Sequence, residues 1–457
     1  MSQLNVDLAL VKKYNVPGPR YTSYPPANQF TSEFTWPALA EEILQNNRAD
    51  RDLSLYFHIP FCQSLCWYCG CTTVITTDSK VGAGYLEYLR KETQLMSLLL
   101  SPKRKAVQLH FGGGTPTFLA PDELRKLGAL IHENFNIAPD AEAGVELDPR
   151  RLTRDHVHAL REIGFNRASI GVQDHNPVVQ KAVHRMQPFA QTKMAVDWIR
   201  AAGFTSLNLD LIYGLPHQTA ASFEKTLDEA LRLKPDRFAV FNYAHVPWVK
   251  PAQKALTETA LPAPEEKLQI LKITIEKLTA AGFVYIGMDH FARADDELAI
   301  AQRQKTLQRN FQGYSTRDGV DIYGFGMSAI SQTDGAYWQN RKELPLYYAA
   351  LDAGQIPVAK AYFPTEEDKL RRQTIMRLMC DLSLDYRAMS ARLGVEFAEH
   401  FSTELDSLAD FVADGLVRLT ETGLEITPAG RLFIRNIAMR FDAYQTRQLE
   451  RRFSQTV

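Results

Sequence analysis

The sequence carries almost no net charge, because 52 Lys and Arg residues balance 53 Asp and Glu residues to leave −1 at pH 7. A chain whose main partner is nucleic acid or an anionic membrane concentrates positive charge, so we expect neither partner. Apolar runs of about 18 residues, which a bilayer-spanning helix needs, are also missing. The opening residues MSQLNVDLALVKKYNV lack the pattern of a secretory signal. These absences predict a cytoplasmic protein.

Cysteine is scarce and unevenly placed. Four of the five cysteines, Cys62, Cys66, Cys69 and Cys71, fall within ten residues, and Cys380 lies far away. A disulfide framework spreads its cysteines along the chain and belongs to an oxidising compartment. The cluster therefore indicates a metal site, and Cys380 is predicted to be an ordinary core thiol.

A regular alternation of short apolar runs and amphipathic stretches begins near residue 51. Six runs rich in β-branched and aromatic residues are predicted strands: 53–59, 106–111, 143–147, 167–172, 206–212 and 237–243. Helical patterns separate them, which is typical of βαβ units and a parallel sheet. Six such units predict an α/β barrel or an incomplete one.

The chain is too long for one ordinary domain, and its patterns suggest four parts. Residues 1–50 are predicted to form an N-terminal extension with a substrate-covering loop, 51–300 the barrel, 301–364 a connecting segment that closes the site, and 365–457 a mostly helical domain. The last part includes LVRLTETGLEITPAG, a predicted hairpin, followed by a last helix, RLFIRNIAMRFDAY. Helices with such a hairpin indicate a winged-helix-like unit. Its scattered arginines (Arg431, Arg435, Arg440, Arg447, Arg451 and Arg452) are interpreted as solvated helix faces.

The strongest chemical signal is Cys62-Gln-Ser-Leu-Cys66-Trp-Tyr-Cys69, directly after the first strand. Three thiolates at these spacings can hold three irons of a [4Fe-4S] cluster and leave the fourth iron open. S-adenosylmethionine can chelate that open iron, and an electron from the cluster can then cleave it to a carbon radical. The alternative is a zinc site with Cys71 as fourth ligand, but structural zinc favours paired ligands separated by a longer loop. Cys71 is predicted to be buried or close to the cluster without ligating it.

Polar residues stand at the ends of the predicted strands. They are His58, the run 112–115, Glu146, Gln173, Asp210 and Asn242. Ligands of parallel βα barrels bind at this end of the strands, so the set predicts a binding site. The glycines of 112–114 would let the backbone approach a cofactor closely. Glu146 and Asp210 could instead cap the helices that follow them, and Arg185 could be a surface charge.

These motifs resemble the radical S-adenosylmethionine superfamily and, within it, the family of oxygen-independent coproporphyrinogen III oxidases. The cysteine loop is common to the superfamily, whereas the N-terminal GPRYTSYP and the later GMDHFAR are narrower. The resemblance spans nearly the whole chain through GPRYTSYP (18–25), HIPFC (58–62), CGC (69–71), HFGGGTPT (110–117), ELDPR (146–150), GVQD (171–174), NLDLIYGLP (208–216), FNYAH (241–245), GMDHFAR (287–293), NFQGY (310–314) and GFGMSAIS (324–331).

The resemblance implies a three-quarter (β/α)6 barrel, one cluster held by Cys62, Cys66 and Cys69, and two S-adenosylmethionine molecules. The first would contact Tyr56, Gly113, Glu146 and Ile330, and the second Tyr68, Gly114, Thr115, Gln173, Arg185, Asp210 and Ala244. It implies decarboxylation of two propionates of coproporphyrinogen III to vinyl groups by a monomer, with an electron donor such as flavodoxin or ferredoxin. Gln63 and Tyr68 depart from the family, which often has His and Phe there.

The resemblance leaves alternatives open. A haem-binding chaperone or a haem-modifying radical enzyme of the same superfamily shares the cysteine loop. We expect Gly18–Pro25 to be a stiff, exposed loop that closes over the substrate, with a domain-packing strap as its alternative. The substrate's carboxylates would need cations such as Arg20 or Arg293, although Arg293 could be a surface ion-pair residue.

Overall fold

The computed structural model describes residues 6–47, 51–445 and 456. The strands are β1 (Leu53–Ile59), β2 (Phe61–Cys62), β3 (Val74–Ile75), β4 (Lys105–Gly113), β5 (Asn136–Leu147), β6 (Arg167–Gln173), β7 (Ser206–Tyr213), β8 (Arg237–Asn242), β9 (Phe283–Gly287), β10 (His290–Arg293), β11 (Gln308–Asn310), β12 (Gly313–Ser315), β13 (Asp321–Phe325), β14 (Ile330–Gln332), β15 (Tyr337–Asn340), β16 (Val358–Tyr362), β17 (Ser383–Asp385), β18 (Val417–Thr420) and β19 (Gly423–Ile426).

The α-helices are α1 (Leu8–Tyr14), α2 (Trp36–Asn46), α3 (Lys80–Ser97), α4 (Pro121–Asn134), α5 (Arg154–Ile163), α6 (Pro177–Ala182), α7 (Phe189–Ala201), α8 (Ala220–Arg232), α9 (Pro264–Ala280), α10 (Glu297–Gln304), α11 (Leu344–Asp352), α12 (Glu366–Asp381), α13 (Tyr386–Leu393), α14 (Phe397–His400), α15 (Ser402–Asp406), α16 (Ala409–Ala413) and α17 (Ile434–Ala438). Short 3-10 turns lie at Ala27–Gln29, Pro116–Phe118, Pro251–Ala255, Glu258–Ala260, Ala429–Phe433 and Met439–Phe441.

The six predicted strands are confirmed as β1 and β4 to β8, which pair in parallel in chain order. The helices between them cover the outer face, and their apolar residues are buried against the sheet. The helices α5, α7 and α9 are followed by Gly164, Gly203 and Gly282, whose φ angles of 112°, 81° and 90° suit glycine. The core is therefore an incomplete α/β barrel, as the sequence predicts.

The main sheet is wider than the sequence analysis expects. Its order is β16-β15-β14-β13-β1-β4-β5-β6-β7-β8-β10-β9, so antiparallel strands extend it beyond β8. On the other side, β13 pairs in parallel with β1, and β14 to β16 follow it antiparallel. Residues 301–364, which we interpreted as a connecting segment, thus supply four strands of the sheet. These strands are only three to five residues long, and the first of them, β13, pairs with β1 more than two hundred residues earlier, so local patterning does not reveal them.

The C-terminal part contains the predicted hairpin, formed by β18 and β19, with β17 as a third strand. The last helix is not continuous, because residues 429–441 form two 3-10 turns around the short α17. Arg435 is not on a solvated face but 5% exposed, and it donates hydrogen bonds to the carbonyls of Gly18 and Pro19. Arg447, Arg451 and Arg452 lie outside the described residues.

The segment Gly18–Pro25 is buried, so the prediction of an exposed loop is wrong. Tyr21 is 1% exposed and donates its hydroxyl to Asp442 at 2.9 Å. Tyr24 is 0% exposed, and its hydroxyl accepts from the Ala443 amide. Burial of an aromatic ring removes a large apolar area from water and so stabilises the fold, and both rings are buried against the C-terminal part. Gly18–Pro25 therefore packs as a strap that joins the N-terminal and C-terminal parts of the chain.

Among the described residues, no helix is both long enough and apolar enough to cross a bilayer.

Candidate functional site

A cavity of about 510 Å³ opens at the carboxyl ends of the parallel strands. Eleven of the predicted site residues line it: Cys62, Cys66, Tyr68, Cys69, Gly113, Gly114, Thr115, Glu146, Gln173, Arg185 and Asp210. The thiols of the cysteine loop and the polar strand ends therefore face one space. Because the ends of neighbouring parallel strands and the cysteine loop converge there, the cavity has the arrangement of a ligand site of this fold class.

The cysteine loop is held against the end of β4 by backbone hydrogen bonds. The Gly114 amide donates to the Ile59 carbonyl at 2.8 Å, and the Thr115 amide donates to the Phe61 carbonyl at 2.9 Å. A Cβ on Gly114 would lie 2.5 Å from the Pro60 oxygen, so a side chain there would push the loop away. Gly114 thus allows the loop to lie against the end of β4, which is a reason for this glycine in addition to the predicted close approach of a cofactor.

Each of the three predicted ligand sulfurs has a hydrogen-bonding neighbour. The Cys62 sulfur lies 3.4 Å from the Thr115 hydroxyl oxygen. The Cys66 sulfur accepts from Arg150 at 3.5 Å and from Arg185 at 3.6 Å. The Cys69 sulfur accepts from the Cys71 amide at 3.4 Å. Such donors stabilise thiolates, the form that ligates metal.

Cys71 is exposed, which corrects the part of the prediction that buried it. Its thiol donates a hydrogen bond to the Cys69 sulfur. This bond lowers the pKa of Cys69 to about 6, together with the bond from the Cys71 amide and the positive charges of Lys250 and Arg185, although burial acts to raise it. The same bond is the main reason that the pKa of Cys71 is raised. Cys380 is 0% exposed in a separate apolar cluster, as expected for a core thiol.

Arg185 is a buried group and not a surface charge, since it is 6% exposed. Its guanidinium donates to Asp148 at 3.1 Å and to the Gly171 carbonyl at 2.7 Å. Arg150 pairs with the same carboxylate at 2.6 Å. Burial raises the pKa of Asp148, but the charge of Arg185 and the hydrogen bonds from Arg150 hold it well below its usual range. Two cations and one anion thus leave a positive charge beside Cys66.

Neither Glu146 nor Asp210 caps a helix. The helix after Glu146, α5, is capped by Thr153, and the helix after Asp210, α8, is capped by Thr219. Glu146 accepts from the Gly113 amide at 3.2 Å, and its side chain is 47% exposed. Because it lines the cavity, that exposure faces the site. The helix-cap alternative is therefore wrong for both residues.

Asp210 accepts hydrogen bonds from Ser169 at 2.8 Å and from Asn208 at 2.7 Å. Burial raises its pKa to about 7 in spite of these bonds. Gln173 has a φ of 67°, an uncommon conformation for a residue with a side chain, and its side-chain oxygen is buried without a partner among the described residues. A strained backbone and an unpaired buried oxygen are both typical of ligand-binding sites.

Three predicted residues do not line the cavity. The Tyr56 ring stacks on His110, which does line it, at 5.8 Å between centroids. The Ala244 carbonyl accepts from Gln253, which also donates to the Tyr68 carbonyl. Ile330 begins β14, beside the strand that pairs with β1. A ligand would have to reach these residues from the edge of the cavity.

The two proposed substrate cations differ in position. The Arg293 side chain is 53% exposed and pairs with Asp295, so the surface ion-pair alternative is correct for it. Arg20 is 33% exposed at its side chain, pairs with Asp289 at 2.6 Å and lies 5.7 Å from the centroid of Phe241, which lines the cavity. Only Arg20 is close to the site.

Asp148 and Arg150 were not among the predicted site residues, although both stand in the ELDPR motif (146–150) that begins with Glu146. Their place at the end of a strand was the available signal. His110, whose ring nitrogen lies 3.4 Å from Glu146, was not predicted either.

The donor set fits an iron–sulfur cluster, because three thiols on one loop face a cavity in which a fourth ligand could bind. Among the described residues, no three His, Cys, Asp or Glu side chains form a group that could hold a single metal ion. Thr115, Arg150, Arg185 and the Cys71 amide supply the hydrogen bonds to sulfur that such clusters receive.

Comparison with known proteins agrees with this donor set. Residues 56–230 match the radical SAM superfamily, and residues 365–433 match the HemN C-terminal domain. A curated relative from Synechocystis, "Oxygen-independent coproporphyrinogen III oxidase", is 46% identical over 98% of this chain and 97% of its own. The relative of the same name from Escherichia coli is 45% identical, over 97% of this chain and 96% of its own.

A solved structure shows the same relationship at the level of the fold. The coproporphyrinogen III oxidase (HemN) from Escherichia coli, described as a radical SAM enzyme, superposes with a TM-score of 0.92 at 44% identity and covers 97% of this chain and 100% of its own. The cysteine loop, the fold and these relatives together show that the chain belongs to the oxygen-independent coproporphyrinogen III oxidase family of the radical S-adenosylmethionine superfamily.

Proposed function

We propose that this chain oxidatively decarboxylates two propionate side chains of coproporphyrinogen III and gives protoporphyrinogen IX on the anaerobic route to haem. The observation that carries the proposal is the single cavity in which the three thiols of the cysteine loop meet the polar strand ends. Curated relatives at 43–46% identity, named for this activity, support the choice of substrate.

We assign the cluster to Cys62, Cys66 and Cys69, and two S-adenosylmethionine sites to the residues around them. Tyr56, Gly113, Glu146 and Ile330 would hold the first molecule; Tyr68, Gly114, Thr115, Gln173, Arg185, Asp210 and Ala244 would hold the second. When bound, the cluster and S-adenosylmethionine supply the carbon radical of the superfamily. The chain's own residues position the reactants and exclude water from them.

Each of the two propionates undergoes the same reaction. The β-carbon loses a hydrogen atom, the bond to the carboxylate carbon breaks with release of CO2, and one electron passes to an acceptor. The remaining carboxylates must be held so that the reacting β-carbon reaches near-attack distance. We assign Arg20 to one of them because, of the two cations predicted for the substrate, it is the one that contacts a residue of the cavity lining, Phe241. We further propose that the chain acts as a cytoplasmic monomer and is reduced by a carrier such as a flavodoxin or a ferredoxin.

The direct test is an anaerobic assay of the reconstituted protein with coproporphyrinogen III, S-adenosylmethionine and a reductant. We expect protoporphyrinogen IX and two molecules of CO2 for each substrate molecule. Tight haem binding without any vinyl product would move the chain to the haem-chaperone class.

Replacing Glu146 with Ala is expected to weaken S-adenosylmethionine binding by roughly tenfold or more, because a charge-assisted hydrogen bond in a shielded site contributes roughly 1.5–3 kcal/mol. The measurement is calorimetric titration with the cofactor, beside a thermal melt. Thr153→Ala is the matched control: it removes the helix cap at about 1 kcal/mol of stability and leaves binding unchanged. Unaltered affinity in Glu146→Ala would remove Glu146 from the cofactor site.

Replacing Arg150 with Gln is expected to make the cluster harder to reduce. The change removes a cationic donor from the Cys66 sulfur, and such donors stabilise the more negative, reduced state of a cluster. An EPR-monitored redox titration should show a more negative midpoint potential with iron content unchanged. Arg151→Gln, at the exposed neighbouring position, is the control. Equal potentials in the two variants would contradict this role.

A further inference from the structure

A groove of about 360 Å³ lies at the amino ends of β1 and β13, the opposite end of these strands from the cysteine loop. Helix α12 forms its other wall, so the groove lies between the barrel and the C-terminal part of the chain. Guanidinium groups that share one space repel each other unless negative charge lies between them. Six arginines line this groove, three from before residue 365 and three from α12 and α13: Arg51, Arg309, Arg317, Arg372, Arg377 and Arg392.

The carboxylates of the groove do not balance these arginines. Asp318 and Asp334 line it. Three further carboxylates form ion pairs with its arginines from outside: Asp140 with Arg317, Asp321 with Arg51, and Asp381 with Arg377. Asp321 is shared with Arg104 as well. The charges just beyond this set cancel in number, since the carboxylates Asp52 and Glu42 are matched by the ammonium groups Lys105 and Lys305. The groove therefore keeps an excess of positive charge.

Arg309 is the arginine of the groove that most needs a counter-ion. It is 8% exposed, and no carboxylate of the described residues forms an ion pair with it. Its Nε and Nη2 donate to the carbonyls of Tyr21 and Arg20 at 3.2 Å each, whereas Nη1 has no hydrogen-bond partner among the described residues. A buried guanidinium keeps its charge, and a buried charge is costly unless an opposite charge pairs with it. The groove thus offers Arg309 to an anion.

The opposite wall presents a second cation of the same kind. Arg392 is exposed on α13, and its Nε donates to the neutral side chain of Gln373 at 2.8 Å. No carboxylate in the described part of the chain pairs with it. The remaining arginines of this wall are held in place, because Arg377 donates to Gln308 at 3.0 Å and Arg372 to the Tyr337 hydroxyl at 2.8 Å. Both walls therefore hold their guanidinium groups ready for a ligand.

We propose that this groove binds a small polyanion through its phosphate or carboxylate groups. Guanidinium groups match the planar or tetrahedral oxygens of these anions and donate two parallel hydrogen bonds to them. A bound anion would contact arginines of both walls and so fasten α12 and α13 to the barrel. The inference does not depend on the proposed function, because none of the six arginines lines the central cavity.

The test is calorimetric titration of the reconstituted full chain with inorganic pyrophosphate and, in a second series, with citrate, at an ionic strength held constant with KCl. We expect one anion to bind per chain and to raise the melting temperature, because a ligand of the folded state stabilises it. Arg392→Gln should weaken binding by roughly tenfold or more, since it removes a cationic donor. The anion that binds more tightly identifies phosphate or carboxylate as the preferred group.

Arg309→Gln should weaken binding as well, and a melt without anion shows whether this variant folds. If it does not, the exposed Arg392→Gln decides alone. The matched control is Arg418→Gln, which removes an exposed arginine of β18 outside the groove and should leave both affinities unchanged.

Failure of both anions to bind the unaltered chain would overturn the proposal, and so would equal affinities in Arg392→Gln and Arg418→Gln. The titrations are repeated with saturating S-adenosylmethionine, which should not displace the anion. Binding that S-adenosylmethionine prevents and that Arg392→Gln leaves intact would place the anion in the central cavity and contradict the assignment to the groove.

Discussion

Serine at Cys62, Cys66 or Cys69 is expected to abolish cluster binding and, with it, all cleavage of S-adenosylmethionine. A serine hydroxyl is a poor ligand for iron of this kind, and each of the three sulfurs has a hydrogen-bonding neighbour that a serine oxygen would not replace at the same distance. Iron and sulfide should be measured after anaerobic reconstitution, together with the absorbance of the cluster. Circular dichroism should confirm that each variant folds.

Cys71→Ser is the matched control on the same loop. Its amide still bonds the Cys69 sulfur after the change, because that contact comes from the backbone. We expect this variant to hold a cluster with normal iron content, and Cys380→Ser to do so as well. A Cys71→Ser protein that failed to hold the cluster would refute the assignment of three ligands.

Replacing Arg185 with Gln is expected to have two large effects. It removes the buried partner of Asp148, which costs roughly 3 kcal/mol, the low end of the range for broken buried pairs because Arg150 still contacts Asp148. It also removes the cation assigned to the second S-adenosylmethionine, so affinity should fall by roughly tenfold or more. Chemical denaturation and cofactor titration measure the two effects separately.

The single variant Asp148→Asn separates support of the fold from binding. It leaves Arg150 and Arg185 without the carboxylate that they share, so stability should fall in this variant too. The affinity for S-adenosylmethionine should be largely retained, because the Arg185 guanidinium is still present. An equal loss of affinity in Asp148→Asn and Arg185→Gln would mean that Arg185 acts only as the partner of Asp148.

The barrel and the cysteine loop could be predicted because their signals are local. The strands β1 and β4 to β8 are long, apolar and separated by helices of ordinary length, and the thiols stand at fixed short spacings. Glu146 and Asp210 stood out as polar residues at strand ends. What excluded them as caps was the position of Thr153 and Thr219, which becomes decisive only when the helix boundaries are known.

The parts that were wrong or missed depend on contacts between distant residues. Tyr21 and Tyr24 are buried by residues more than four hundred positions later in the chain, so the composition of their own segment suggested an exposed loop. Arg293 and Arg185 look alike in the sequence, yet one is a surface ion pair and the other lies beside Cys66. Two such residues differ in the direction of the side chain and in the distant residues that pack against it. Neither property follows from the local sequence pattern.

Under the proposed function, two propionates each lose one hydrogen atom to a separate 5′-deoxyadenosyl radical. The most direct test is the ratio of 5′-deoxyadenosine to protoporphyrinogen IX formed under strict anaerobiosis, with cleavage in a no-substrate control subtracted. We expect a ratio of two. A ratio near one would contradict it, because one S-adenosylmethionine would then serve both propionates.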